Sequence, residues 1–304
     1  MNFTSRLLVV LVALLWGFNF VVIRWGIEDI DPATMTALRF FFTAFPLIFF
    51  VKRPNVKLGV LALYGILFGA GVWGLVNLSV ALGTPAGHAS LLLQLSAFLT
   101  VIAGLLKYAE PFTLVKKVGI GIAFLGFATV VFNKGNAVSS FGVALVFLSA
   151  GFWTICNMII KSYKPDNVVG FIVWSSLFVP IPFGAVMLLS QSGEGTTTYI
   201  GYISGFSLPT MKGWASIFFQ AFATTLLGYG IWSYSISRYG LSNVAPYSLL
   251  VPISGLFFGW LLYQEVLSSG EIVGSALVII GLALLSVNNL KYFTRGKYRD
   301  IKSQ

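Results

Sequence analysis

Apolar runs of about 20 residues recur along this chain, and they constrain its fold more than any other feature. A helix advances about 1.5 Å per residue, so about 20 apolar residues cross a hydrocarbon layer roughly 30 Å thick. Ten such runs begin near Leu7, Ala33, Gly59, Ala86, Leu114, Phe141, Val168, Gly213, Val244 and Gly270. The connections between them are mostly short. The exception is Ser190 to Lys212, rich in Gly, Ser and Thr, which reads as a surface loop. Only 9% of the 304 residues are charged, against roughly 25% in ordinary soluble domains. A soluble core could not hide so much apolar surface, so the solvent is largely lipid. In lipid a helix satisfies its own backbone polar groups. The expected class is therefore an all-α membrane protein with ten transmembrane helices. The first run is too long for a signal peptide, and W-G-F-N-F stands where a small-residue cleavage site would be, so it is retained as a span.

The net charge of +10 would suggest nucleic acid in a soluble protein. Its distribution points instead to topology. With both termini cytoplasmic, the inner set is Arg6, Lys52, Arg53, Lys57, Lys107, Lys116, Lys117, Lys161, Lys164, Arg238, Lys291, Arg295, Lys297, Arg299 and Lys302. The outer set is Arg24, Lys134 and Lys212, and Arg39 lies within a span. That bias fixes the orientation by the positive-inside rule. The basic tail K-Y-F-T-R-G-K-Y-R reads as a membrane-surface anchor. One cysteine, Cys156, excludes a disulfide framework within the chain, and with a single histidine, His88, it argues against a metal or haem site.

The sequence also repeats. At an offset of 155, Gly104, Tyr108, Glu110, Gly119, Gly126 and Asn133 meet Gly259, Tyr263, Glu265, Gly274, Gly281 and Asn288. Gly71 and Gly83 meet Gly228 and Gly240 at 157; Trp16 and Arg24 meet Trp153 and Lys161 at 137. The chain divides into residues 1–136, residues 137–290 and a basic tail, 291–304. Five spans per half is an odd number, so the second half enters the membrane inverted. Two inverted five-helix repeats around a central cavity are a known basis for alternating access.

Polar and aromatic residues inside the spans locate that cavity. Positions three and four apart share a helix face. Trp16, Asn19, Phe20 and Arg24 form one stripe, and Ser149, Trp153, Asn157 and Lys161 its inverted equivalent. Ala86, Ser90, Gln94, Ala97 and Gly104 form a third, and Gln220, Thr224, Gly228 and Trp232 a fourth, with Tyr229 adjoining. Asn77 and the pair Tyr247-Ser248 add amide and hydroxyl groups. Such residues face either a cavity or a neighbouring helix that they hydrogen-bond. The substrate-contacting set is Trp16, Asn19, Arg24, Asn77, Ser90, Gln94, Trp153, Asn157, Tyr229, Trp232, Tyr247 and Ser248. The glycine-rich runs holding Gly119, Gly121 and Gly126, and Gly270, Gly274 and Gly281, suit close helix packing or dimerisation. Pro246 and Pro252 are expected to bend the ninth span.

No Asp or Glu is expected deep inside a span, whereas Arg24, Arg39, His88 and Lys161 lie near the path. The cavity therefore suits small zwitterions or anions bearing a carboxylate, with aromatic rings against an ammonium group. Arg24 and Lys161 act either as outer and inner attractors or as residues snorkelling to headgroups. Arg39 has a charge role in the path or ties down loop carbonyls or the Asp31 carboxylate. His88 either caps the fourth span or carries a coupling proton. Oligomeric state is left open.

These landmarks resemble the EamA family of the drug/metabolite transporter superfamily. The matching pieces are W-G-F-N-F-V-V-I-R, A-L-R-F-F-F-T-A-F-P and the segments ending at Glu110-Pro111 and Glu265. Further segments, R-P-N-V-K-L, V-W-S-S-L-F-V-P-I-P-F, L-L-G-Y-G-I-W and V-A-P-Y-S-L-L-V-P, resemble the bacterial exporters of O-acetylserine and cysteine within that family. The resemblance implies a carrier of the bacterial inner membrane, without cofactor, that moves small amino-acid-type metabolites outward. A broader transporter of drugs, nucleobases or other metabolites is the alternative. A membrane-embedded enzyme is more remote, because it needs a Ser-His-Asp set, paired carboxylates or a metal cluster.

Overall fold

The computed structural model describes residues 3–108, 114–133, 139–184, 208–239, 244, 247–248 and 250–300. Glu110, Pro246 and most of the loop expected between Ser190 and Lys212 lie outside the described residues. The described residues contain no strand. The helices are α1 (Phe3–Ile27), α2 (Pro32–Ala44), α3 (Leu58–Ala81), α4 (Ala86–Leu92), α5 (Leu95–Tyr108), α6 (Leu114–Phe132), α7 (Ser140–Tyr163) and α8 (Val168–Ser176). They are followed by α9, which runs from Met211 through Phe219–Gly228 to Tyr239, then α10 (Leu250–Tyr263) and α11 (Ser269–Asp300). Among the described residues, five stretches are long and apolar enough to cross a bilayer: Phe3–Ile27, Pro32–Phe49, Leu58–Ala81, Ser140–Tyr163 and Met211–Trp232. Lys117–Phe132, Val168–Gly184, Leu250–Tyr263 and Ser269–Leu284 are shorter apolar helices.

Helix starts follow capping chemistry. Asp31 Oδ1 accepts the Thr34 N–H at 2.8 Å, and Pro32 supplies a first helical residue with no N–H to leave orphaned. Ser139 caps α7 and Asn167 caps α8 in the same way, at 3.2 and 2.9 Å. Asp29 reaches across to α9, where its Oδ2 accepts from the N–H groups of Thr210 and Gly213.

The most extensively packed pair is α6 with α11. A Cβ on Gly126 would lie 2.7 Å from the Gly274 carbonyl, one on Gly274 2.8 Å from the Gly126 carbonyl, and one on Gly281 2.6 Å from the Gly119 carbonyl. The two backbones touch, so the glycine-rich runs pack on each other within one chain. A second small-residue junction joins α1, α4 and α10. Gly17 faces Ser254, Gly255 faces Ser90, and Ser254 Oγ donates to the Leu14 carbonyl at 2.8 Å.

Several spans are irregular. α3 is π-helical over Ile66–Gly74, and α9 over Phe219–Gly228. A wide turn breaks the regular hydrogen-bond ladder, and side chains take up the freed carbonyls. Ser149 Oγ donates to Val72 O at 2.9 Å, and Trp16 Nε1 donates to Thr224 O at 3.0 Å. The fourth span is not one helix. α4 ends at Leu92, and Leu93–Gln94 form a turn before α5. The stripe from Ala86 to Gly104 is therefore re-phased at Gln94. In the ninth span, expected from Val244, Val244 is helical, Tyr247–Ser248 are in a 3-10 conformation and α10 follows from Leu250. Gln94 Nε2 lies 3.4 Å from the Ser248 carbonyl, so the turn of the fourth span meets Tyr247–Ser248.

Candidate functional site

An aromatic cluster occupies the middle of the bundle. Trp16 lies 5.0 Å, ring to ring, from both Tyr229 and Trp232. Tyr229 contacts Phe68 at 5.9 Å, Phe68 contacts Trp153 at 6.1 Å, and Trp153 contacts Trp73 at 5.8 Å. These rings come from α1, α3, α7 and α9. Trp16, Trp153, Tyr229 and Trp232 stay partly exposed although they sit well inside their helices. Rings that converge inside the bundle yet are not fully covered have faces that suit a ligand with a positive group. Four of the sequence-predicted residues are thus brought together. Trp73 and Phe68 were not predicted, although Trp73 lies one turn from Asn77 on the same stripe.

Beside the cluster lies Arg39, 1% exposed. Its Nε and Nη2 donate to Thr225 Oγ1 at 3.3 and 3.1 Å, and its Nη1 donates to Gln220 Oε1 at 3.1 Å. Its Cζ stands 4.2 Å from the centre of the Trp73 ring. The expected ties to loop carbonyls or to Asp31 do not form, because Asp31 is engaged at its own helix start. Arg39 instead bridges the two π-helical segments, with Trp73 on one and Gln220 and Thr225 on the other. Gln220 is oriented by its own Nε2, which donates to Ser216 Oγ at 3.1 Å. The groups holding this guanidinium are therefore neutral hydroxyl and amide acceptors and an aromatic face.

Two buried amides sit in the neighbouring helices. Asn19 is 1% exposed, and neither its Nδ2 nor its Oδ1 has a partner among the described residues. Asn77 donates from Nδ2 to Thr36 Oγ1 at 2.8 Å, while its Oδ1 has no partner among them. Trp73 Nε1 is likewise unpaired there. An unsatisfied buried polar group costs about 1–3 kcal/mol, so these atoms are poised for a polar ligand or for water.

Other predicted residues are used differently. Asn157 Nδ2 donates to Thr100 Oγ1 at 3.1 Å, joining α7 to α5. Ser90 donates to the Gly87 carbonyl of its own helix and packs on Gly255. Tyr247 and Ser248 form the turn that meets Gln94. Lys161 is exposed near the end of α7.

The Arg24 end of the bundle holds a network that the sequence reading placed only in part. Arg24 Nη1 donates to Glu265 Oε1 at 2.7 Å, and its Cζ lies 3.9 Å over the Tyr263 ring. Glu265 also accepts from the N–H groups of Ala86 and Gly87 at 2.8 and 3.0 Å. His88 does not cap α4; its Nε2 lies 2.7 Å from Glu271 Oε1. Glu271, in the first turn of α11, is 3% exposed, so an acid is buried at the end of a span, though not deep inside one. Its local signal is weak, since a glutamate in the first turn of a helix is common. Nothing nearby in sequence announces a partner 183 residues away. A flanking cleft of about 440 Å³ between α1 and α10, and another of about 420 Å³ near Ser5, are lined by none of the predicted site residues.

The sequence has relatives among known proteins. The model of the EamA-like transporter family matches residues 4–132 and 140–287. A "Probable amino-acid metabolite efflux pump" of Escherichia coli (strain K12) is 34% identical over 288 residues, covering 93% of this chain and 94% of that protein. A protein of the same name from Salmonella typhimurium is 34% identical over 281 residues, covering 90% and 92%. A crystal structure superposes with a TM-score of 0.59 at 16% identity, covering 96% of this chain and 99% of the other.

Proposed function

Because the chain belongs to the EamA-like transporter family, and is thus a multi-pass membrane transporter and not an enzyme, we propose that it exports small amino-acid metabolites. O-acetylserine, cysteine and close relatives are the proposed substrates. The observation that carries this reading is Arg39 beside the aromatic cluster. A buried guanidinium held only by neutral acceptors favours an arriving carboxylate, which its planar fork can bind in a bidentate manner. Trp16, Trp153, Tyr229 and Trp232 then offer faces to the ammonium group of the same molecule. Asn19 and Asn77 supply donors and acceptors for its polar remainder. The efflux pumps of Escherichia coli and Salmonella support an amino-acid-type cargo.

The proposed architecture is ten transmembrane helices in two inverted repeats, residues 1–136 and 137–290, with the tail 291–304 at the cytoplasmic surface. Both termini face the cytoplasm of a bacterial inner membrane, which directs the Arg24 end outward. The two π-helical segments, one in each half, support the repeat. The Arg24–Glu265 contact then closes the outer end, and the substrate leaves when it parts. A direct test uses proteoliposomes preloaded with unlabelled O-acetylserine or cysteine and supplied with labelled substrate. Counterflow of these compounds, competed by other zwitterionic amino acids but not by amines lacking a carboxylate, is expected. Equal competition by lipophilic cations would instead favour a broad drug transporter.

A further inference from the structure

His88 and Glu271 form a buried pair, 4% and 3% exposed, at the Arg24 end. The pair links α4 to the start of α11. Glu271 is fixed on its other side by the Ser268 N–H, which donates to Oε2 at 2.7 Å. His88 Nδ1 is buried without a partner among the described residues. So is Ser275 Oγ, one turn along α11 on the same face as Glu271. The titratable groups on the surrounding helices can be named. α1 brings Arg24, and α10 with the turn after it brings Tyr263 and Glu265. Arg24 and Glu265 are committed to each other. Of the other helices packed on α4, α3 carries only Tyr64, and α7 only Cys156, Lys161 and Tyr163 towards its far end. α6, packed along α11, carries Lys116 and Lys117 in its first turn, at the opposite end from Glu271.

We infer that the His88–Glu271 pair is the proton-binding site that couples export to the inward movement of a proton. With one proton shared, the pair is neutral. With none it is negative, and with two it is positive, and burial disfavours both charged forms. A closed outer end therefore retains one proton. Imidazole is the side chain whose charge ordinarily changes between pH 5 and 8. It can take a proton at one nitrogen and release it from the other, and here one nitrogen faces Glu271 while the second is unpartnered among the described residues. A proton taken from outside water when the outer end is open would be held as that end closes, then passed on through Nδ1. No electron moves and no bond but N–H or O–H changes. His88 sits on α4, which also carries Ser90 and leads to Gln94, so the state of the pair bears on the position of α4 against α11.

This inference rests on the transport reading above, and the experiment separates the two. Purified protein is reconstituted with a pH-sensitive dye inside the vesicles. One proton per substrate predicts about tenfold accumulation of O-acetylserine or cysteine per unit of pH gradient. A dye response should accompany the flux. In His88→Gln and Glu271→Gln, the ratio of gradient-driven to gradient-free flux should fall to about one. Net substrate efflux by the wild type without a dye response overturns the proton site, and counterflow then leaves the exporter standing. Absence of counterflow removes the exporter reading, and the spectrum of the chain's single histidine then decides. In nitrogen-15-histidine-labelled wild-type protein, substrate should shift the His88 resonance. A resonance unmoved by substrate overturns the inference, with no variant required.

Discussion

Replacing Glu265 by Gln should loosen the Arg24 end of the bundle by a predictable amount. In the structure the Glu265 carboxylate accepts three bonds: one from Arg24 and two from the backbone of α4. The exchange is therefore not silent, despite the matching shape of the two side chains. It removes the ion pair and weakens both backbone contacts, because charge-assisted bonds are roughly twice as strong as neutral ones. Breaking a fully buried pair costs about 3–5 kcal/mol. Here the Arg24 side chain is 35% exposed and that of Glu265 8%, so water compensates part of the loss. A net cost of about 2 kcal/mol follows, or roughly a 30-fold shift from closed towards open. The native thiol Cys156 is 1% exposed and can be removed as Cys156→Ser. A reporter Ser90→Cys then probes α4, because Ser90 is buried against Gly255 when the end is closed. Its reaction with a membrane-impermeant maleimide should quicken about 10- to 30-fold on Glu265→Gln. Adding Arg24→Gln should bring little further increase. An unchanged rate, or effects of the two substitutions that simply multiply, would show that this contact does not hold the end shut.

Other outcomes follow from the same geometry. Arg39→Lys keeps the charge but loses the fork that reaches both Gln220 and Thr225. It should weaken the apparent affinity for carboxylate substrates at least about tenfold in competition counterflow, about 1.4 kcal/mol, with folding retained on size-exclusion chromatography. Gly126→Leu would drive a side chain into the α11 backbone and should lower stability by about 3 kcal/mol or more, read as loss of monodisperse protein and a lower unfolding temperature. Lys212 donates a hydrogen bond to Glu28 and holds that carboxyl below its ordinary value of 4.5. A depressed folded value gives stabilisation that is present above the unfolded value and lost as pH falls through the folded one. Lys212→Ala should therefore cost about 0.5 kcal/mol at pH 7, and the difference from the parent should vanish on acidification through the range below 4.5, measured by thermal unfolding at fixed ionic strength.

Much of this molecule is legible in local sequence. The apolar runs are set by composition and the glycines of α6 and α11 by their repeated spacing, so both are visible in the sequence, although the glycines act on each other across the fold. Trp16, Trp153, Tyr229 and Trp232 converge because a stripe on a helix inside a bundle has few directions to face. The partners of charged groups are not legible. Arg39 meets residues 181 and 186 positions away, and His88 meets one 183 positions away. No periodicity encodes such pairings. The turn at Leu93–Gln94 lacks Gly or Pro to announce it, and the π-helical segments arise where tertiary contacts from Ser149 and Trp16 satisfy carbonyls that a regular ladder would have used.

The seam between α6 and α11 bears on how such a bundle could move. Where main chain rests on main chain at Gly126, Gly274 and Gly281, neither rod can slide by a residue without driving a bulky neighbour into the other. Tilting about the line of contact costs far less than translation along it. The pair is thus expected to move as one unit, so any rearrangement of the bundle would carry both rods together.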